Sequence, residues 1–134
     1  INISMAGTIV TAFNNIGTQF VAELVETFPE ESQFKVFKSG VRALIWAKKD
    51  TLIQLYAHYC VSFHDQIVNK DEKFFLNENY DNVIDSDDKD MITQIIDKLK
   101  IHWGTMNNEN KEKVWQYIQT LLKLSDQYCS IKGK

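Results

Sequence analysis

The sequence predicts an all-α fold, and three observations support that prediction. Apolar residues recur at steps of three and four along several long segments, the spacing that places side chains on one face of a helix. No segment shows the apolar–polar alternation of a half-buried strand. The single proline, Pro29, and five scattered glycines mark no flexible linker. We therefore expect one domain over residues 1–134, a compact bundle of about five helices with short turns.

The first two helices are predicted on either side of Pro29. The first is expected over residues 8–28, because its apolar residues repeat at helical spacing and the residue before a proline avoids helical backbone. Glu30, Glu31 and Ser32 then favour a new helix N-terminus, where acidic and capping side chains stabilise the free N–H groups. This second helix should bury its apolar positions, which are Phe34, Phe37, Val41, Leu44 and Ile45.

Residues 50–69 are expected to form the central helix of the bundle. Asp50 or Thr51 supplies a capping oxygen at its start. Its apolar face is broad enough to contact more than one neighbour. That face consists of Leu52, Tyr56, Tyr59, Cys60, Phe63 and Ile67.

The remaining chain is expected to form two helices after an irregular segment. Phe74, Phe75 and Leu76 are three consecutive apolar residues, which predict a short helical turn or an ordered loop with its aromatic rings turned into the bundle. An acidic turn follows at residues 81–90, and the fourth helix ends at Gly104. The last helix is expected over residues 108–128, and residues 131–134 are expected to fray.

Charge and hydropathy exclude several classes of protein. The net charge is −3, from 15 basic and 18 acidic residues, and no run of Lys or Arg is present to neutralise phosphates. No apolar stretch reaches the roughly 18 residues that a membrane span needs, and no basic region precedes an apolar block at the N-terminus. We therefore expect an intracellular protein without a secretory signal. Residues 1–4 precede Met5 and are expected to be an added sequence.

Catalytic and metal-binding patterns are not found in the sequence. It has no Gly-x-Ser-x-Gly, no phosphate-binding glycine loop, and a single arginine, Arg42. His58, Cys60 and His64 lie close together, and the last two share a helix face, but no further ligand motif completes a metal site. We expect a non-enzymatic protein without cofactor or metal, and we keep a site at these three residues as a weaker hypothesis.

A partner-binding site is predicted on the irregular segment after the central helix. Acidic residues flank aromatic ones there, a combination that is typical of protein interfaces when the rings are exposed. Rings turned into the core remain the competing interpretation. An apolar face on residues 8–28 could also support a homodimer. The predicted partner-binding residues are Asp71, Glu72, Phe74, Phe75 and Tyr80.

A nucleic-acid-associated or transcription-accessory role is the alternative to protein binding. Basic residues recur along the second helix, opposite Phe34, Phe37 and Val41. Binding through phosphate contacts would weaken steeply with salt, since it releases counterions. This basic stripe consists of Lys35, Lys38, Arg42, Lys48 and Lys49.

Three segments together resemble a known group of proteins. They are residues 27–30 (Thr-Phe-Pro-Glu), residues 69–76 (Asn-Lys-Asp-Glu-Lys-Phe-Phe-Leu) and residues 110–122, which begin Asn-Lys-Glu-Lys-Val-Trp. Their order resembles that in small uncharacterised all-helical proteins of large double-stranded DNA viruses. The resemblance implies a viral protein of the host cytoplasm or the virion. It fits an adaptor or virion-associated protein that binds another protein.

Overall fold

The computed structural model describes residues 2–77 and 89–132, with side-chain surroundings described for residues 5–59, 62–77 and 94–132. These residues form six helices and no strand, so the all-α class is confirmed. The predicted number of helices, five, is too low for the described part of the chain. In order, the helices are α1 (Asn2–Thr27), α2 (Ser32–Ala47), α3 (Thr51–Val68), α4 (Glu72–Asn77), α5 (Lys89–Trp103) and α6 (Asn108–Lys132).

Helix α1 begins earlier than its apolar repeat predicted. The helix includes Asn2, whereas the sequence suggested a start near residue 8. Ala6 and Val10 are both 7% exposed, so tertiary packing extends the helix over residues whose own helical signal is weak. The predicted end before Pro29 is confirmed. The apolar side of α1 packs within the chain against α6, α2 and α3.

The corner between α2 and α3 follows the prediction with one correction. Glu31 is the N-cap of α2, and its carboxylate accepts a hydrogen bond from the Gln33 N–H at 3.4 Å. Asp50 or Thr51 was expected to cap α3 with its side chain; Asp50 is the N-cap, but its side chain makes no capping bond. Its Oδ2 instead accepts a hydrogen bond from Nε2 of Gln54, at 3.3 Å.

Helix α4 is the element that raises the helix count. A tight C-terminal motif ends α3: the Lys70 N–H donates to the Ile67 carbonyl at 3.2 Å and the Asp71 N–H to the Gln66 carbonyl at 2.9 Å. Lys70 adopts the left-handed conformation that this motif requires, with φ 52°. The Asp71 carboxylate then accepts a hydrogen bond from the Phe74 N–H at 3.1 Å, so a new helix starts at once.

Aromatic side chains from α4, α5 and α6 form the centre of the main core. Phe75, Trp103 and Trp115 meet edge to face, with centroid distances of 5.4 to 6.1 Å. Edge-to-face pairs of this kind contribute about 0.5–1.5 kcal/mol each beyond burial alone. The three side chains are 9%, 2% and 7% exposed. The sequence left open whether the rings of this segment are exposed or turned into the core. For Phe75 the ring is turned into the core.

Helix α6 continues beyond its predicted end. Residues 131 and 132 are helical, so the expected fraying is wrong for this part of the tail. Tyr128 is 6% exposed, and its hydroxyl accepts a hydrogen bond from Nε2 of Gln54 at 3.1 Å. A second bond between α3 and α6 runs from the Tyr56 hydroxyl to the Ile118 carbonyl, at 2.6 Å. These contacts hold the last turns of α6 against the bundle.

An apolar cavity of about 170 Å³ lies where the helices converge. All six contribute to its wall, for example through Phe13, Val41, Leu52, Phe74, Ile95 and Trp115.

None of the described helices combines the length and the apolar character needed to cross a bilayer.

Candidate protein-interaction surface

Helix α2 presents one face to the core and another to solvent. Phe34, Phe37 and Val41 are 0%, 2% and 4% exposed and fix how the helix is rotated. With those residues inward, Arg42 and Trp46 lie one turn apart on the outside, and both are exposed. The hydrophobic pattern of α2 therefore sets the direction of its solvent-facing side chains.

Trp46 is the most unusual side chain on this surface. It is 91% exposed, whereas Trp103 and Trp115 are buried. Tryptophan carries the largest apolar area of any side chain and is normally buried in large part. A ring held almost wholly in water suits a contact made with another molecule.

Exposed apolar residues are more concentrated on α2 than on the other described helices. Val36 is 58% exposed and shares this helix with Trp46. Among the described side chains, α1, α3 and α5 each have one such residue, namely Met5, Val68 and Ile101. Single exposed apolar residues are ordinary on protein surfaces, but an exposed tryptophan one turn from an exposed arginine is a stronger indication of an interface.

The basic stripe predicted from the sequence surrounds Trp46. Lys35, Arg42, Lys48 and Lys49 are exposed, and Lys38 is half-buried. Lys35, Lys38 and Arg42 lie along α2, and the other two follow its last residue. Within the described residues, none of the five takes part in an ion pair. Their charge is therefore available to a partner.

Two backbone contacts hold the C-terminal end of this surface in place. The Lys48 N–H donates to the Leu44 carbonyl at 3.0 Å. The side-chain amide of Asn14, on α1, donates to the Lys49 carbonyl at 3.0 Å. Asn14 is only 6% exposed, so a buried group of α1 fixes the turn that carries the two lysines. A fixed surface loses less entropy on binding than a flexible one.

The sequence-based site on residues 71–80 is largely engaged inside the fold. Phe75 is buried, and Phe74 is half-buried with its ring 5.3 Å from that of Phe63. Asp71 caps α4. Glu72 accepts a hydrogen bond from the indole N–H of Trp103 and lies 3.6 Å from Nζ of Lys111. Tyr80 lies outside the described residues. Asp71, Glu72 and part of Phe74 still reach solvent.

The histidines of α3 do not gather into a metal site within the described side chains. His58 is exposed, and Nε2 of His64 lies 2.9 Å from Oδ2 of Asp126 on α6. That contact raises the pKa of His64, with a smaller effect from Asp65 at 3.8 Å. Among the described side chains, no cluster of three potential metal ligands is found. The side chain of Cys60 is not among those described.

Trp46 has no role in the sequence-based predictions. The spacing contained the signal: Trp46 follows Arg42 by four residues, and it lies outside the face formed by Phe34, Phe37 and Val41. A tryptophan on the polar side of an amphipathic helix indicates a contact surface. Its degree of exposure depends on neighbouring helices and is not given by the spacing.

Comparisons with protein-family models, with curated proteins and with solved structures find no match to this chain. The resemblance to viral helical proteins thus stays a prediction.

Proposed function

We propose that this chain is a non-enzymatic protein-interaction module that binds its partner through the solvent side of α2. This α2 surface consists of Lys35, Lys38, Arg42, Trp46, Lys48 and Lys49. The observation that carries the proposal is the 91% exposure of Trp46 one helical turn from Arg42. Tryptophan and arginine are the residues most enriched among those that dominate binding energy at protein interfaces.

The charges on the α2 surface indicate the chemistry of the partner. These cations pair with no acidic group in the described part of the chain, so they favour an acidic partner surface, which would also raise the association rate. Trp46 requires an apolar pocket next to that acidic surface, because burying its ring is the largest hydrophobic gain available here. The partner is therefore a protein with acidic residues around a hydrophobic cleft.

Affinity capture from cells of the natural source tests the proposal. Wild-type protein should retain a stoichiometric protein partner, identified by mass spectrometry. Trp46→Ala and Arg42→Glu should each weaken that retention at least tenfold, as expected for loss of about 1.4 kcal/mol or more. Ile101→Ala and Lys123→Glu are matched controls, because they make similar changes at exposed positions on α5 and α6. Equal loss in the controls, or full retention by Trp46→Ala, would contradict the assignment.

A nucleic-acid partner is the second candidate, supported by the same cations. Tryptophan can stack on a base while lysine and arginine contact phosphates. The net charge of −3 opposes it, since the whole molecule then repels a polyanion at long range. Recovery of nucleic acid in the capture experiment, lost after nuclease treatment, would favour this candidate. So would an affinity that falls steeply with added salt.

The proposed viral setting, as an adaptor or virion-associated protein, is supported by the sequence resemblance alone. The same capture experiment bears on it through the identity of the partner.

A further inference from the structure

We propose that the apolar cavity is a binding site for one small uncharged aromatic molecule. The cavity has a volume of about 170 Å³, and residues from all six helices line it. An engineered cavity of about 150 Å³, lined by Leu, Ile and Phe, remains dry and binds benzene. The cavity in this chain has the volume for a single-ring ligand.

The side chains of the wall define the chemical class of the ligand. Aromatic rings contribute from four helices, and they offer edges and faces to a bound ring. Aliphatic side chains of α5 and α6 complete the wall, among them Ile96, Leu99 and Ile118. The aromatic members are Phe13, Phe20, Tyr56, Tyr59, Phe74, Phe75 and Trp115.

Few polar groups of the described residues line the cavity, and two of them are already hydrogen-bonded, so a charged ligand is disfavoured. The Tyr56 hydroxyl donates to the Ile118 carbonyl at 2.6 Å. The Asp71 carboxylate accepts a hydrogen bond from the Phe74 N–H, and its negative charge disfavours an anion. Among the described residues no cationic side chain lines the wall, so a carboxylate ligand would lose its hydration without compensation from them.

Toluene is the probe that tests the site, with calorimetry and methyl NMR on the full chain. We expect a saturable 1:1 isotherm. Benzoate, which has a ring of similar size with a charge, should bind at least about tenfold more weakly. The methyl signals of Ile95, Ile96 and Ile118 should shift on toluene addition. Those of Ile101 and Val36, which are exposed and do not line the cavity, should not.

Cavity-filling variants provide a second, independent test. Leu55→Phe and Ile96→Phe each enlarge a side chain of the wall and should weaken toluene binding by about tenfold or more. Leu124→Phe is the matched control, because Leu124 is also half-buried but does not line the cavity. Absence of saturable binding would overturn the proposal. Unchanged affinity in whichever filling variant folds, or shifts spread evenly over surface methyls, would do the same.

Discussion

At the scale of single residues, Lys70 combines an unfavourable backbone conformation with a surface ion pair. Its φ of 52° lies in the left-handed region, which costs a non-glycine residue about 1 kcal/mol. Nζ of Lys70 lies 2.6 Å from Oε2 of Glu112, with the two side chains 40% and 50% exposed. Exposed pairs contribute at most about 1 kcal/mol, so the pair can at best offset the backbone cost.

Replacing Lys70 by glycine should therefore stabilise the fold when the parent protein already lacks the ion pair. In a Glu112→Gln background, Lys70→Gly is expected to raise the free energy of unfolding by about 0.5–1 kcal/mol. Urea denaturation followed by circular dichroism measures it. Ser39→Gly, at an exposed position inside α2, is the control and should lower stability, because glycine is a poor helix former. Loss of stability in Lys70→Gly would contradict the left-handed cap.

His64 gives the fold a pH-dependent contact. The hydrogen bond to Asp126 raises the pKa of His64 above its ordinary value of about 6.5. A raised pKa means that the protonated form is favoured in the folded protein. The stability from this contact is thus fully present below the unfolded-state pKa, and it is lost as pH rises through the folded-state pKa. Because His64 is 45% exposed, the contribution stays below about 1 kcal/mol.

Asp126→Asn tests this contact directly. We expect the pKa of His64 to fall toward its ordinary value, because the largest cause of its upward shift is removed. An NMR titration of the imidazole proton measures the change, and the His58 signal of the same spectra is the internal reference. A His64 pKa that does not move would show that Asp126 is not its partner in solution.

At the scale of whole elements, a polar contact between described residues links α4 to α5. Glu72 accepts the indole N–H of Trp103, a side chain that is 2% exposed. Glu72→Ala would leave a buried donor without its partner and should lower the free energy of unfolding by about 1–3 kcal/mol. Glu72→Gln keeps an acceptor oxygen and should cost clearly less. Chemical denaturation of the two variants separates these outcomes, and equal losses would argue against the contact.

This contact also changes what charge reversal at the predicted acidic site can show. Charge reversal at Asp71 and Glu72 would test the sequence-based partner site cleanly only if neither side chain supported the fold. Asp71 caps α4 and Glu72 holds Trp103, so both substitutions should also lower stability. A loss of partner binding in these charge-reversal variants is therefore informative only beside a measurement of their unfolding free energy.

The elements differ in how far the sequence determined them. Pro29 and Glu31 are local signals that marked the boundary between α1 and α2 correctly. The start of α1 was missed because it depends on burial of Ala6 and Val10, which is a tertiary effect. Helix α4 escaped prediction as a full helix because its three consecutive apolar residues fit no helical periodicity. They divide between Phe75 in the core and Phe74 at its edge.

At the scale of the whole molecule, the sequence predicted the class of fold and most of its core. The cavity was not predictable, because it is the space left after all six helices have packed. Hydrophobic periodicity predicts which residues lie in the interior, but it does not predict how densely their side chains pack. The basic residues of the α2 surface were predicted, since Lys and Arg are readable from the sequence. The exposure of Trp46 was not predicted.

The unequal burial of the three tryptophans gives this chain a built-in optical assay. Trp46 emits from water, so its fluorescence should be red-shifted and open to collisional quenchers such as acrylamide. Trp103 and Trp115 emit from the core, and Trp115 also lines the cavity. Protection of the quenchable fraction would therefore report occupation of the α2 surface. A change in the blue-shifted fraction would report a ligand in the cavity, and spectra recorded with and without acrylamide distinguish the two events without any added label.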